Sequence, residues 1–186
     1  MRFDDQKYID DYAQKGIYPK IHNDIFKVAK KFITSGIVMD IGACTGLLSV
    51  RVAEKTDAEK VIGLEPSQSS LNKAVRHEKI DYIQIAVKKD TLREVKDILI
   101  HYRPKVLLAR RVFPEIAEQG VGIVTEFARL CYESELDYII LEGRKPTKKA
   151  KNPLNTAELE VQALNEYYKP VGRLNSVFAL QRRGME

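Results

Sequence analysis

Residues 37–48 read IVMDIGACTGLL, an apolar run that ends in an acid and passes through a glycine-containing turn into an amphipathic stretch. The pattern predicts a buried strand, a tight turn and a helix. At such junctions α/β proteins bind nucleotide-like ligands. Residues 61–65 predict a second apolar strand, and its terminal Glu65 follows Gly46 at about the interval of a ribose-binding carboxylate. Together these segments indicate a ligand that carries an adenosine.

Short apolar runs alternate with amphipathic stretches in the rest of the chain. Strands are predicted at 36–41, 60–65, 82–86, 105–109 and 137–142, and helices at 45–54, 67–76, 91–101 and 120–132. Five strands separated by helices predict a parallel sheet covered on both faces. A helix at 155–166 and two closely spaced strands at 168–171 and 176–181 then predict a terminal antiparallel hairpin.

The chain of 186 residues has the length of one domain. Residues 4–32 place apolar side chains at helical spacing, and Gly16 and Pro19 divide this segment into two predicted helices. We therefore expect an N-terminal helical cap at 1–34 and a single compact ligand-binding domain at 35–186.

Composition narrows the class of protein. Two cysteines and three scattered histidines have no metal-ligand spacing, so we expect neither a metal site nor a disulfide framework. Apolar runs are too short for a membrane span and the N-terminus has no signal-peptide pattern, so a cytoplasmic location without membrane contact is the expectation. The net charge of +5 mildly favours an anionic partner.

Two classes of cofactor compete for the predicted turn. A dinucleotide site has the spacing G-x-G-x-x-G, which lets the backbone approach a pyrophosphate. Here Asp40 precedes Gly42 by two residues, and the next glycine is Gly46. An acid at this position attracts an ammonium group and repels a pyrophosphate. The residues therefore favour S-adenosylmethionine over NAD.

Residues 38–46 resemble motif I of class I S-adenosylmethionine-dependent methyltransferases, and residues 63–66 resemble their second motif. The likeness covers roughly residues 35–182, and residues 37–87 are particularly similar to the FkbM-type branch. It implies an α/β, Rossmann-like, seven-stranded and mostly parallel sheet with helices on both faces and a C-terminal antiparallel hairpin, preceded by N-terminal helices. Residues 35–186 would form the S-adenosylmethionine-binding domain.

The resemblance also implies a set of cofactor-binding residues. Glu65 would accept hydrogen bonds from the ribose hydroxyls, Ala86 would border the adenine, and backbone atoms of Ala109 and Arg110 would lie near the methionine end. The full set is Asp40, Gly42, Ala43, Cys44, Gly46, Glu65, Pro66, Ala86, Ala109 and Arg110. Cys44 stands where the family often has glycine, and we interpret it as a small packing residue rather than a nucleophile.

The activity implied is methyl transfer by in-line displacement to a small-molecule or RNA acceptor. Positioning supplies most of the acceleration in such a reaction, so no catalytic triad is required. Candidate catalytic residues are Arg110, Glu115 and His22. The fourth strand lacks the proline-rich signature of enzymes that methylate amines of DNA bases, and a Pro-Cys nucleophile is also missing. DNA-modifying subclasses are therefore disfavoured.

Several alternatives remain open at this point. Arg110 and Arg111 could bind a substrate carboxylate or phosphate, or pair with Glu115 or Glu142. A basic segment at 144–151 could attract a polyanion or be an ordinary solvated loop. The predicted N-terminal helices should fold over the cofactor and bring three further candidates to it, which are Tyr12, Lys15 and Tyr18. A non-catalytic S-adenosylmethionine-binding regulatory or partner-subunit module is the main alternative function.

Overall fold

A computed structural model describes residues 18–143 and 153–185. Its helices are α1 (Tyr18–Ala29), α2 (Leu47–Lys55), α3 (Gln68–Asn72), α4 (Leu92–Tyr102), α5 (Phe113–Ala117), α6 (Val121–Glu133) and α7 (Ala157–Leu164). Its strands are β1 (Ile37–Ile41), β2 (Lys60–Leu64), β3 (Ile80–Ile83), β4 (Val106–Arg110), β5 (Tyr138–Glu142), β6 (Tyr168–Leu174) and β7 (Val177–Arg182).

The strands of the described ranges form one seven-stranded sheet in the order β3-β2-β1-β4-β5-β7-β6. The first five strands are parallel, and β7 runs antiparallel to both β5 and β6. The predicted fold class is therefore confirmed. The strand order reverses between β1 and β4, and α/β sheets bind ligands in the crevice at the carboxyl ends of such a pair. The turn after β1 and the residues after β4 both border this crevice.

Helices cover both faces of the sheet. On one face α1 and α2 pack against Val38, Val61 and Leu108, and on the other α4, α5, α6 and α7 pack against Met39, Ile62 and Leu107. Because both faces are buried, the central strands are apolar at almost every position rather than at alternate ones. In β4, residues 106–109 are 0–1% exposed.

Two predicted elements end well before their predicted last residues. β3 ends at Ile83 rather than 86, although the apolar pattern continues through Ile85 and Val87, which are buried outside the strand. After β3 the backbone no longer pairs with the sheet. There the Ala86 carbonyl accepts a hydrogen bond from the Thr91 hydroxyl at 2.5 Å instead. Helix α3 covers only Gln68–Asn72 of the predicted 67–76. The chain then leaves the helical path, since the Val75 N–H donates to the Thr45 carbonyl at 3.1 Å.

Two further features were not predicted. Helix α5 follows β4 almost directly, with Pro114 in its first turn, where proline is well tolerated. Strand β6 continues to Leu174 through a register shift between Pro170 and Gly172.

The predicted N-terminal cap lies largely outside the described residues. The first of its two helices falls there, whereas α1 corresponds to the second and buries Ile25 and Ala29 completely against the sheet. The division at residue 34 stays a prediction. None of the helices within 18–143 and 153–185 combines the length and apolar character that crossing a bilayer requires.

Candidate cofactor site

The turn after β1 alternates its backbone between ordinary and left-handed conformations. Gly42, Cys44 and Gly46 have φ angles of 70°, 52° and 76°. Left-handed φ is costly for a residue with a Cβ atom. Cys44 therefore occupies a backbone position suited to glycine, which gives a physical reason for the glycine that the resembled motif often has there.

Two side chains from distant parts of the chain pack closely against the glycines of this turn. A Cβ atom on Gly42 would lie 2.7 Å from Cγ2 of Val112, in the segment after β4. A Cβ atom on Gly46 would overlap the hydroxyl of Tyr82, which belongs to β3 and donates to the Val75 carbonyl at 3.0 Å. The two glycines thus permit close approach of the neighbouring segments as well as the turn itself.

Glu65, directly after β2, ties together the loops that follow the first two strands. One carboxylate oxygen accepts the Cys44 N–H at 2.8 Å, and the other accepts the Ser67 N–H at 2.9 Å. The residue is 6% exposed. Each oxygen of a carboxylate can accept a second hydrogen bond, so this orientation is compatible with simultaneous bonds to a pair of hydroxyls.

Asp40 lies in β1 beneath the turn and is buried. Its carboxyl accepts a hydrogen bond from the Ser49 hydroxyl of α2 at 2.6 Å. Burial, with a smaller contribution from the charge of Glu65, raises the pKa of Asp40 to about 7, although the Ser49 hydrogen bond lowers it. A cationic group brought close to this carboxyl would favour its ionised form.

Cys44 has the surroundings of a packing residue. Its sulfur lies 3.9 Å from the Ser70 hydroxyl oxygen. Burial raises the pKa of the Cys44 thiol to about 11, and the nearby charge of Glu65 acts in the same direction. Since the thiolate is the nucleophilic form, this environment does not suit a nucleophile.

The remaining residues of the implied set lie at the same end of the sheet. Ala43 is buried and its N–H donates to the Leu64 carbonyl at 3.2 Å, which joins the turn to the end of β2. Pro66 is partly buried, and its carbonyl accepts the Gln84 side-chain amide at 3.4 Å. Ala109 pairs in register with Ile41. Ala86 lies beyond β3 rather than at its end.

The two arginines after and at the end of β4 share one acidic partner. Arg110 Nε lies 3.4 Å from one oxygen of Glu142 in β5, and a terminal nitrogen of Arg111 lies 3.5 Å from the other. Of the pairings left open by the sequence, the structure shows the one with Glu142. Glu115 lies in α5 and is partly buried.

His22 of α1 is brought to this same corner of the sheet. It is 2% exposed. Burial lowers the pKa of His22 to about 4, and the charges of Arg110 and Arg51 lower it too. The imidazole is therefore neutral near pH 7.

Several candidates cannot be placed. Tyr12, Lys15 and the basic segment 144–151 fall outside the described residues, and for Tyr18 only the helical backbone is described. Of the other histidines, His77 is partly buried and His101 is exposed. Among the described residues, no group of three or more His, Cys, Asp or Glu side chains could hold a metal ion.

Sequence reasoning missed three residues that shape the site, namely Ser49, Tyr82 and Val112. Ser49 carried a detectable signal, because it is a small polar residue among the apolar positions that face the core from α2. Tyr82 and Val112 reach the turn only through the strand order, which the local pattern around residues 37–48 does not contain.

No protein-family model matches the chain, and no curated protein matches it. Solved structures do match. The N-methyltransferase NodS from Bradyrhizobium japonicum WM9, in complex with S-adenosylhomocysteine, has a TM-score of 0.67 at 9% identity over 92% of this chain and 90% of its own. TrmK from M. capricolum, also with S-adenosylhomocysteine, has a TM-score of 0.51 at 12% identity over 87% and 70%.

One of the similar structures is that of an enzyme named for a cyclisation rather than for methyl transfer. The cyclase SpnF has a TM-score of 0.57 at 12% identity, over 80% of this chain and 57% of its own length. The similarity to the FkbM-type branch is not shown by these matches. At such low identities the likeness establishes the architecture. This chain has the Rossmann-like fold of S-adenosylmethionine-dependent methyltransferases.

Proposed function

We propose that the chain binds S-adenosylmethionine and transfers its methyl group to an acceptor. The observation that carries the proposal is the pairing of Glu65 with the glycine turn, because a buried carboxylate directly after β2 bonds to the Cys44 N–H of that turn, beside the expected place of a ribose. The neighbouring Asp40 supplies an acid suited to an ammonium group. Both acids lie at the crevice where α/β sheets bind ligands.

The residues present fit the cofactor's chemical groups. Gly42, Cys44 and Gly46 give a turn with little side-chain bulk beside the ligand. Asp40 would repel a pyrophosphate, so a dinucleotide fits less well than a cationic sulfonium compound. When bound, S-adenosylmethionine supplies a methyl group on a positively charged sulfur.

The transfer needs positioning more than it needs a base. An acceptor N, O or C atom forms a bond to the methyl carbon while the carbon–sulfur bond breaks and its electron pair stays on sulfur. The acceptor then loses a proton to water or to a nearby group. His22, with its pKa near 4, is a poor base at neutral pH. We therefore propose that the chain's residues act mainly by holding the reactants in line.

We infer that the acceptor is a small molecule or an RNA, and that an anionic one fits best. The net charge of +5 and the two arginines at the end of β4 support an anionic acceptor. Acceptors would enter over the carboxyl edge of the sheet, between α1 and the segment after β4.

Calorimetry of the purified protein with S-adenosylmethionine, S-adenosylhomocysteine and NAD tests the cofactor. Binding of the first two without NAD is expected, and NAD binding alone would overturn the proposal. The rival is a non-catalytic S-adenosylmethionine-binding regulatory or partner-subunit module. Methyl-labelled cofactor incubated with cell extract separates them, because only an enzyme moves label into an RNA or small-molecule fraction.

A further inference from the structure

We propose that the groove between α1 and β6 binds the phosphate backbone of a single-stranded RNA. In this groove Lys27 of α1 and the two lysines that follow the helix face residues 171–174 of β6. The groove shares no residue with the candidate cofactor site. The choice of RNA rests on the proposed function, in which RNA is one of two acceptor classes. The inference extends that function, because it assigns a second binding surface to the chain.

The size of the groove suits a nucleotide. Its volume is about 390 Å³, at the small end of the range of about 300–1,000 Å³ for pockets that take small ligands. Two turns of a partner helix, about 11 Å long and 11 Å across, would occupy more than twice this volume. One nucleotide of an extended strand therefore fits better than a helix of a partner protein.

The charge of the groove is positive. Among the described residues that line it, four are basic and none is acidic. Lys27, Lys30 and Lys31 are exposed, and within 18–143 and 153–185 none of the three has an ion pair or a side-chain hydrogen bond. The fourth, Arg173, pairs with Glu158 of α7 at 2.8 Å. Three positive charges therefore lack a counter-ion in the described part of the chain, and the phosphates of a polyanion would supply it.

The three lysines lie close together along the chain. After α1 the backbone keeps turning, since the Lys30 N–H donates to the Phe26 carbonyl at 3.0 Å and the Lys31 N–H to the Val28 carbonyl at 3.1 Å. Residues three and four apart in such turns are neighbours, and like charges there repel each other. Lys27 is three and four residues from the other two lysines. An anion bound beside them would remove this repulsion.

Three apolar side chains also line the groove. Phe32 and Leu174 are partly buried, and Val171 is 43% exposed. Gly172 has no side chain to cover the Phe32 ring, since even a Cβ atom there would lie 3.9 Å from it. A cationic groove with an aromatic side chain is typical of sites for single-stranded nucleic acid. A flat lipid surface would not reach partly buried groups, so the combination favours a strand.

One end of the groove reaches the carboxyl edge of the sheet, where the cofactor crevice lies. Leu174 pairs with Val177, which pairs with Glu142 at the end of β5. Leu174 is thus two strand spacings, about 10 Å, from Glu142. An RNA strand anchored in the groove would present a nucleotide a few positions away to the crevice.

Fluorescence anisotropy with a labelled oligouridine of about twelve nucleotides tests the groove. Three phosphate contacts should contribute about −2 to the slope of log K against log salt concentration. The K27Q/K30Q/K31Q variant should lose this contribution and bind about tenfold or more weakly at low salt. The matched control K89Q/R93Q/K96Q removes the same charge from exposed positions before and within α4, on the opposite face of the sheet. It should stay within about twofold of wild type.

A second pair of variants tests the groove without removing a lysine. Val171→Glu places a carboxylate among the lysines, whereas Val171→Gln has nearly the same shape and no charge. The glutamate variant should bind oligouridine about fivefold more weakly than the glutamine variant. Equal affinities of the two variants would show that the strand does not pass through the groove.

The remaining outcomes decide the occupant and separate the two proposals. Equal losses in both triple variants, or no binding of oligouridine by wild type, would overturn the groove. Tighter binding of an oligoglutamate of equal charge, or displacement of oligouridine by an equal concentration of uridine monophosphate, would overturn an RNA strand as its occupant. Calorimetry with S-adenosylhomocysteine should give the wild-type affinity for every groove variant. Wild-type protein that fails to bind S-adenosylhomocysteine but binds oligouridine through the lysines would overturn the proposed function and not the groove.

Discussion

At the scale of single residues, the site depends on a side chain with more than one bonding partner. Glu65 fixes two backbone N–H groups, that of Cys44 in the turn after β1 and that of Ser67 in the loop after β2. Cys44, by contrast, adopts a left-handed backbone conformation that glycine would adopt with less strain. Glu65 therefore stabilises the turn, whereas Cys44 adds strain to it.

The variant Glu65→Ala should weaken binding of S-adenosylhomocysteine by about 1–3 kcal/mol, because it removes a charged acceptor and frees two N–H groups beside the ligand. Calorimetry measures the change. Glu54→Ala, on the exposed face of α2, is the matched control and should have no effect. Equal affinities for Glu65→Ala and wild type would show that Glu65 does not contact the ligand.

The sequence could predict residues of the site that are adjacent along the chain. Asp40, Gly42 and Gly46 belong to one short segment, and Glu65 ends the next strand. The partners of these residues could not be predicted in the same way. Ser49 reaches Asp40 through the packing of α2, whereas Tyr82 and Val112 reach the turn through the strand order, and both are tertiary properties.

At the scale of elements, contact between the end of β5 and the start of α7 leaves no room for a side chain. A Cβ atom on Gly143 would overlap Cα and Cβ of Ala157. Gly143→Ala should therefore destabilise the protein by about 1–3 kcal/mol, as overpacked sites do. Urea unfolding measures this. Gly122→Ala is the control, because it lies in α6 with nothing within 4 Å and should stabilise the helix by up to about 1 kcal/mol.

The contact between the two loops that border the crevice can be tested by a double-mutant cycle. Gly42→Ala should cost at least about 2 kcal/mol, from its left-handed backbone and from overlap with Val112. Val112→Ala removes the overlapping methyl group. The double variant should thus be less destabilised than the sum of the single changes, by about 1 kcal/mol. Strict additivity in urea unfolding would contradict the contact.

Strands with a continuous apolar run were predictable because burial on both faces leaves a strong pattern, as in residues 106–109. The apolar pattern gave a wrong strand end where residues are buried without being paired in the sheet. Ile85 and Val87 are buried beside β3 without belonging to it. Helix α5 escaped prediction because five residues are too few to show a helical period.

At the scale of the whole molecule, two buried groups make stability depend on pH in opposite directions. His22 has a pKa of about 4 in place of 6.5, so between these values the unfolded chain binds the extra proton and stability rises with pH. Asp40 has a pKa of about 7 in place of 3.8, so the folded chain holds the extra proton and stability falls with pH. The two contributions oppose each other over nearly the same range.

Removal of one of these two groups should reveal the pH dependence that the other contributes to stability. Relative to wild type, Asp40→Asn should make the free energy of unfolding rise more steeply with pH between about 4.5 and 6, by up to about 1.4 kcal/mol per pH unit. His22→Gln should make it fall instead. Urea titrations at four or five pH values measure both profiles. A flat difference profile for either variant would show that the group removed in that variant titrates normally in the folded protein.

The outer strand of the sheet has a consequence for the protein in concentrated solution. β6 presents an unshared edge among the described strands, but Pro170 lacks an N–H and the register shift at Pro170 and Gly172 breaks its straight run. Lys169 and Arg173 add positive charge along the same strand. A second copy therefore meets an interrupted edge of the same charge there, which disfavours continuation of the sheet through β6 from one molecule into the next.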